Sequence, residues 1–242
     1  AHFKAYAAEP PRDTPALVLG RALHCALLEP DSYAARYAVA PVCDRRTKAG
    51  KETWAEFEAA HPGATILKQE EAETVARMVE QLRAHPLAPL LFAQGQAEMS
   101  GWWLDPETGL PCRLRFDHLR EADQIGVDLK TTLDASPAAF ARAIAKFGYH
   151  VQAAFYARGF KAITGEPLRD FAFVVVEKAP PWAVAIYRIE DGAIQAGERK
   201  VAQGMRRFAE CMERNEWPAY AADITFIGLP AWALDLDEED ET

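Results

Sequence analysis

The sequence predicts an α/β (α+β) domain with one mixed central sheet flanked by helices. Three observations carry that prediction: strand-period alternation over 96–132, a second pair of strands after 170, and helical spacing before, between and after them. Pro15, a favourable first-turn residue, opens an apolar helix over 15–29, PALVLGRALHCALLE, in which Leu17, Gly20, His24 and Leu27 share one stripe. Residues 40–52, APVCDRRTKAGKE, are polar, basic and glycine-containing and read as a loop. Two amphipathic helices follow, near 52–60 and 68–84, the second ending at His85-Pro86. From 96 the period changes: QAEMSGWWL, a DPETG turn and LPCRLRFDHLR form a hairpin. After a turn at Glu121–Asp123, QIGVDLKTT sets Ile125, Val127 and Leu129 on one face and Gly126, Asp128 and Lys130 on the other. Helices near 136–147 and 149–164 precede strands FAFVVVE and WAVAIYRI, and a last helix spans 191–214. With no internal repeat and no Gly/Ser linker, residues 1–234 read as one domain and 235–242 as a disordered acidic tail.

Half of the 242 residues are apolar, enough for a real core and too many for a disordered chain. No apolar run is long enough to span a membrane. The opening AHFKAYAAEP lacks the apolar stretch of a signal peptide and reads as the interior of a longer chain. Cys25, Cys43, Cys112 and Cys211 form no CxxC pair and no His/Cys metal spacing, so they read as thiols of a reducing, cytoplasmic protein without zinc. The net charge is −9, but six of those negatives lie in the terminal DLDEEDET, leaving −3 for the rest. Screening confines fields to about 10 Å, so local basic runs still bind phosphate and overall charge neither supports nor excludes DNA.

Asp128 and Lys130 project from the same strand face, about 7 Å apart along the chain. A carboxylate and an ammonium on an otherwise apolar strand suit metal-dependent phosphodiester hydrolysis, the first holding a divalent ion and the second polarising water or steadying phosphorane charge. By itself such a pair is more often a solvent-facing salt bridge. Arg113, Arg115 and Asp117 share a face of their own strand, and an antiparallel neighbour would bring Asp117 beside Asp128. Two adjacent carboxylates repel unless a cation or proton joins them. His24, a lone histidine on an apolar stripe, is ordinarily a core residue; Gly20, one turn earlier, would let its helix approach another element closely. Tyr149, Gln152 and Tyr156 occupy a narrow arc of one helix, packing or facing a DNA backbone. Arg45, Arg46, Lys48 and Lys51 make either a solvated loop or a phosphate-gripping flap. Arg115 is expected to point into the cleft beside Asp117, gripping a phosphate or ordering Glu98.

Together, G-x-x-x-H on an early helix, Asp117, a gap of ten residues, D-L-K-T and Q-x-x-x-Y on the next helix resemble the PD-(D/E)XK nuclease superfamily. Within it the pattern is similar to the RecB-like and Cas4-like branch, and most of all to RecE-type phage and prophage exonucleases (exodeoxyribonuclease VIII). TPALVLGRALHCALLEP, DRRTKAGKETW, E-M-S-x-W-W-x-D-x-x-T-G-L-P-C-R-x-R-x-D, DLKTT and GYHVQAAFY carry that likeness over residues 10–190. It implies His24, Asp117 and Asp128 as metal ligands, with the Leu129 carbonyl reaching the metal, and Lys130 as the catalytic lysine. It also implies Gln152 and Tyr156 beside the cleaved strand with Tyr149 flanking, and Glu98 as a further acidic position. The literal "PD" is absent, since Phe116 precedes Asp117. The implied activity is Mg²⁺- or Mn²⁺-dependent, 5′-to-3′ digestion of double-stranded DNA ends, feeding single strands to a recombinase or annealing protein from a ring-shaped homo-oligomer. The rival readings are a RecB- or Cas4-like repair nuclease on single strands, lacking the four thiolates of an iron–sulfur version, and a degenerate DNA-binding or assembly module.

Overall fold

The computed structural model describes residues 2–9, 13–221 and 223–229, so the acidic segment expected to be disordered lies outside the described residues. The chain divides into two compact units, residues 12–209 and residues 1–11 with 210–242. In the smaller, α1 (His2–Ala8) belongs to a unit where Phe3 stacks on Trp217 with ring centroids 5.5 Å apart.

In the larger unit, α2 (Pro15–Leu28) starts where the sequence predicts. Thr14 Oγ1 accepts the N–H of Leu17, and Pro15 occupies a first-turn position whose N–H would have no partner. Then come α3 (Pro30–Arg36), β1 (Tyr37–Val39), α4 (Lys48–Ala60), β2 (Thr65–Leu67), α5 (Gln69–Ala84) and α6 (Ala88–Phe92). The expected loop at 40–52 is therefore shorter. Thr47 caps α4 by accepting from Gly50 N at 3.0 Å, so Lys48 and Lys51 sit in the first turn of a helix. The basic residues disguised this start, because a helix N-terminus ordinarily favours acidic ones. β1 and β2, three residues each, pair in parallel and carry too few alternations to be read from sequence.

The main sheet has the order β3 (Gln96–Leu104), β4 (Pro111–Arg120), β5 (Ile125–Thr132), β6 (Asp170–Glu177), β7 (Val184–Arg188). β5 and β6 run parallel and the other neighbours antiparallel, the mixed sheet predicted. The crossover between β5 and β6 carries α7 (Pro137–Phe147) and α8 (Tyr149–Thr164), separated by Gly148 at φ +72, a conformation glycine adopts without Cβ strain. α9 (Asp191–Arg214) follows the sheet. β6 is buried on both faces, which explains its unbroken apolar run. Val174 and Val176 join Val127 and Leu129 of β5 against Leu23 of α2 and Val75, Met78 and Leu82 of α5. Phe171, Phe173 and Val175 face the other way, against Phe140 of α7 and Ala153 and Phe160 of α8. Each of these Val, Leu, Met and Phe side chains contributes about 1.5–3 kcal/mol through burial. Among the described residues no helix is long and apolar enough to cross a membrane. All four cysteines are free thiols.

Candidate active site

The β4–β5 ladder is short: Arg120, Leu119 and His118 pair with Ile125, Gly126 and Val127, and the pairing stops there. One residue further, Asp117 Oδ2 accepts the N–H of Leu129 at 2.7 Å, so a carboxylate bridges the strands where backbone pairing ends. The pleat of β4 changes at the same point. Leu114 and Phe116 join the cluster beneath α8, as alternation requires, but so does Leu119, three residues on. Across on β3, Ala97 and Met99 pair with His118 and Phe116, leaving Glu98 opposite Asp117 with φ +52. A left-handed glutamate costs about 1 kcal/mol, and irregularities of this kind re-aim side chains beside functional sites.

Helix α2 completes the arrangement. His24 Nε2 lies 2.9 Å from the carbonyl oxygen of Leu129, and its Nδ1 lies 3.5 Å from Asp117 Oδ1. His24, Glu98 and Asp117 each offer a ligand atom, all within 4.8 Å of one another. Arg115 Nε stands 2.9 Å from Glu98 Oε2 in an ion pair, the second of the two roles expected for it. Asp128, 2% exposed, is committed differently: Lys130 Nζ stands 2.5 Å from Oδ2, and Gln152 Nε2 donates to Oδ1 at 2.5 Å. Gln152 Oε1 in turn accepts from Lys130 Nζ at 3.1 Å, and the ammonium sits 4.6 Å from the centre of the Tyr149 ring.

These surroundings set the charges. Burial and the neighbouring Asp117 carboxylate push Asp128 up to about 6 despite Lys130. Burial would raise Asp117 as well, but His24, the Leu129 N–H and Lys130 outweigh it and hold that carboxyl below its ordinary range. Burial would lower His24, yet Asp117 and Asp128 raise it above the usual imidazole value. Burial would likewise lower Lys130, and Asp128 overrides it, so the ammonium keeps its proton. The buried Asp128 carboxylate, the half-buried carboxylates of Asp117 and Glu98, and an imidazole whose nitrogens both face oxygens make a donor set suited to a hard divalent cation, with the Leu129 carbonyl alongside.

The cleft above these groups measures about 510 Å³. His24, Glu98, Arg115, Asp117, Asp128, Leu129, Lys130, Tyr149 and Gln152, all singled out in the sequence, line it. Gly20 lines it too, but not through the close helix approach expected: a Cβ there would meet nothing within 4 Å, so the glycine leaves the wall open. Tyr156 does not line the cleft, its ring standing edge-on to Phe116 and Phe171 at 5.1 and 6.0 Å, while burial raises its phenol against opposing hydrogen bonds with the Arg115 backbone and Gln152. Arg45, Arg46, Lys48 and Lys51 do not line the cleft; Arg45 lies over Trp54 at 4.0 Å, Arg46 pairs with Asp44, and Lys48 with Glu52. Sequence reasoning missed Arg21 and Arg36, which line the cleft while paired with Asp13 and Glu29. Arg21 next to Gly20 on the His24 helix was the available signal.

Residues 1–229 match the profile of a family described as "PDDEXK-like domain of unknown function (DUF3799)". No curated protein matches the chain in sequence. Among solved structures, the chain is similar to a "Putative exonuclease" from Eubacterium rectale, with TM-score 0.60 and 11% identity over 96% of this chain and 83% of the other. At that identity the likeness is one of fold. A structure of SSO0001 aligns over 67% of this chain and 69% of its own at TM-score 0.34 and 14% identity, and carries no argument.

Proposed function

The chain belongs to the PDDEXK-like family, and we propose that it is a metal-dependent DNA exonuclease of the RecE type, digesting linear double-stranded DNA in the 5′-to-3′ direction. Mg²⁺ is the proposed cofactor, with Mn²⁺ able to substitute. The carrying observation is the juxtaposition of the His24, Glu98 and Asp117 cluster with the Asp128, Lys130 and Gln152 network in one cleft. The name of the Eubacterium rectale structure adds support from a shared fold.

When bound, the cation supplies Lewis acidity and a water activated for attack on phosphorus. His24, Glu98, Asp117 and the Leu129 carbonyl would hold it, with Asp128 completing the set. Lys130 keeps its proton, so it donates hydrogen bonds to the attacked phosphate and does not serve as a base. Gln152 fixes the lysine through Oε1 and Asp128 through Nε2, which removes two rotamer searches from the reaction. Tyr149 supports the ammonium from its ring face. The single strands released would pass to an annealing protein in the cytoplasm, and a homo-oligomer would keep the enzyme on its substrate.

The test is digestion of end-labelled linear duplex with Mg²⁺. Release of 5′-terminal label first, full inhibition by EDTA and an intact covalently closed circle are the expected results. Cleavage that survives thorough chelation, or cutting of the closed circle at the linear rate, would overturn the reading.

A further inference from the structure

Beyond the cluster, the β3–β4 hairpin alternates strictly. Trp103 and Leu114 pack so tightly on α8 that a Cβ on Gly159 would lie 2.7 and 2.6 Å from them, while Ser100, Trp102, Arg113 and Arg115 face the other way, exposed. Ser100 pairs with Arg115 and Trp102 with Arg113. Directly opposed residues of an antiparallel pair project to one side. Trp102 and Arg113 therefore occupy the side that carries Asp117, two rows out, about 14 Å along the strand from Glu98.

This row is unspent. Trp102 is 70% exposed, although an indole would gain a great deal by burial. Arg113 is exposed and has no ion pair among the described residues, whereas Arg115, Arg21, Arg36 and Arg158 each have a carboxylate. A free aromatic face beside an uncompensated guanidinium, in line with a cleft suited to phosphodiesters, has the composition of a strand-binding platform.

We infer that this face holds unpaired nucleotides contiguous with the phosphodiester in the cleft, a base stacking on Trp102 and a backbone phosphate taken by Arg113. The inference rests on the nuclease reading and adds to it that the site admits a single-stranded end. The strand must be unpaired, because a base inside a duplex presents no face to an indole. Phosphate, rather than a second copy of this chain, is the fitting partner for Arg113 because it brings the missing negative charge.

Binding of a labelled oligothymidylate, followed by anisotropy in EDTA, separates the face from the chemistry. Trp102→Ala weakens binding about ten-fold or more, Trp102→Phe restores most of it, and Arg113→Ala flattens the salt dependence by about 0.7 in log–log slope. Hydrolysis of thymidine 5′-p-nitrophenyl phosphate with Mn²⁺, which occupies the cleft alone, stays at the wild-type rate in both variants. Wild-type affinity in both variants overturns the inference, as does equal loss on a blunt duplex. A change in sedimentation without a change in affinity assigns the face to self-association instead and overturns it too. If the wild type fails to digest linear duplex with Mg²⁺, the nuclease reading falls, and the oligonucleotide result alone decides the strand-binding face.

Discussion

The imidazole of His24 reaches the carbonyl oxygen of Leu129 across 2.9 Å, joining a helix and a strand separated by 105 positions in sequence. That contact holds α2 against β5 beside Asp117, whose Oδ1 lies 3.5 Å from the other ring nitrogen. Its consequences are open to measurement.

Asp117, Asp128 and Lys130 should separate by function. Asp117→Ala and Asp128→Ala are expected to lose Mn²⁺ binding and turnover together. Lys130→Ala should keep its metal, since an ammonium is not a ligand, and lose about 100-fold or more in rate, the scale for removing one transition-state donor. Calorimetric titration with Mn²⁺ on all three variants checks this; an equal loss of metal in Lys130→Ala would count against the assignment.

Arg115→Lys is not conservative here. The guanidinium holds Glu98, whose carboxyl is raised mainly by burial, opposed by Arg115 and reinforced by Asp117. A lysine offers only a point charge in its place. Metal affinity should fall about 10- to 100-fold, the usual loss when a group supporting a ligand is removed, while the salt dependence of oligonucleotide binding is retained. Unchanged metal affinity with a shallower salt slope would show that Arg115 grips phosphate.

Far from the cleft, Asp105 anchors the hairpin tip to α8, accepting from Arg158 Nε at 2.6 Å and from Thr108 N and Oγ1 at 3.0 and 2.8 Å. Burial pushes this carboxyl up, but Arg158 and Thr108 outweigh burial and hold it below its ordinary 3.8. A depressed carboxylate contributes stability above that ordinary value, and the contribution fades as pH falls through the folded one. Arg158→Met strands the buried charge and should cost about 3 kcal/mol at pH 7, lowering Tm by about 6–12 °C. Thermal melts at pH 7 and in the acid range test it: the gap between variant and wild type narrows on acidification, and a gap of constant size would remove the ionic explanation.

The sequence alone determined the sheet's strands, the helices packed on it and the face on which Asp128 and Lys130 stand, because hydrophobic periods of 2.0 and 3.6 residues are local properties. The family likeness singled out His24, Glu98 and Gln152, residues no local pattern would have joined. Tertiary structure decided what each touches. Glu98 enters the cluster because a left-handed residue turns β3 where Asp117 stands opposite, and Asp128 meets Lys130 and Gln152 because α8 lies over that face of β5. Arg115 finds Glu98 only through strand register, and Trp102 stays exposed only because α8 covers the other face of the hairpin. Periodicity places a side chain on a face; which group waits across from it depends on strand pairing and helix packing between segments far apart in the chain, and a single sequence carries no local signal for either.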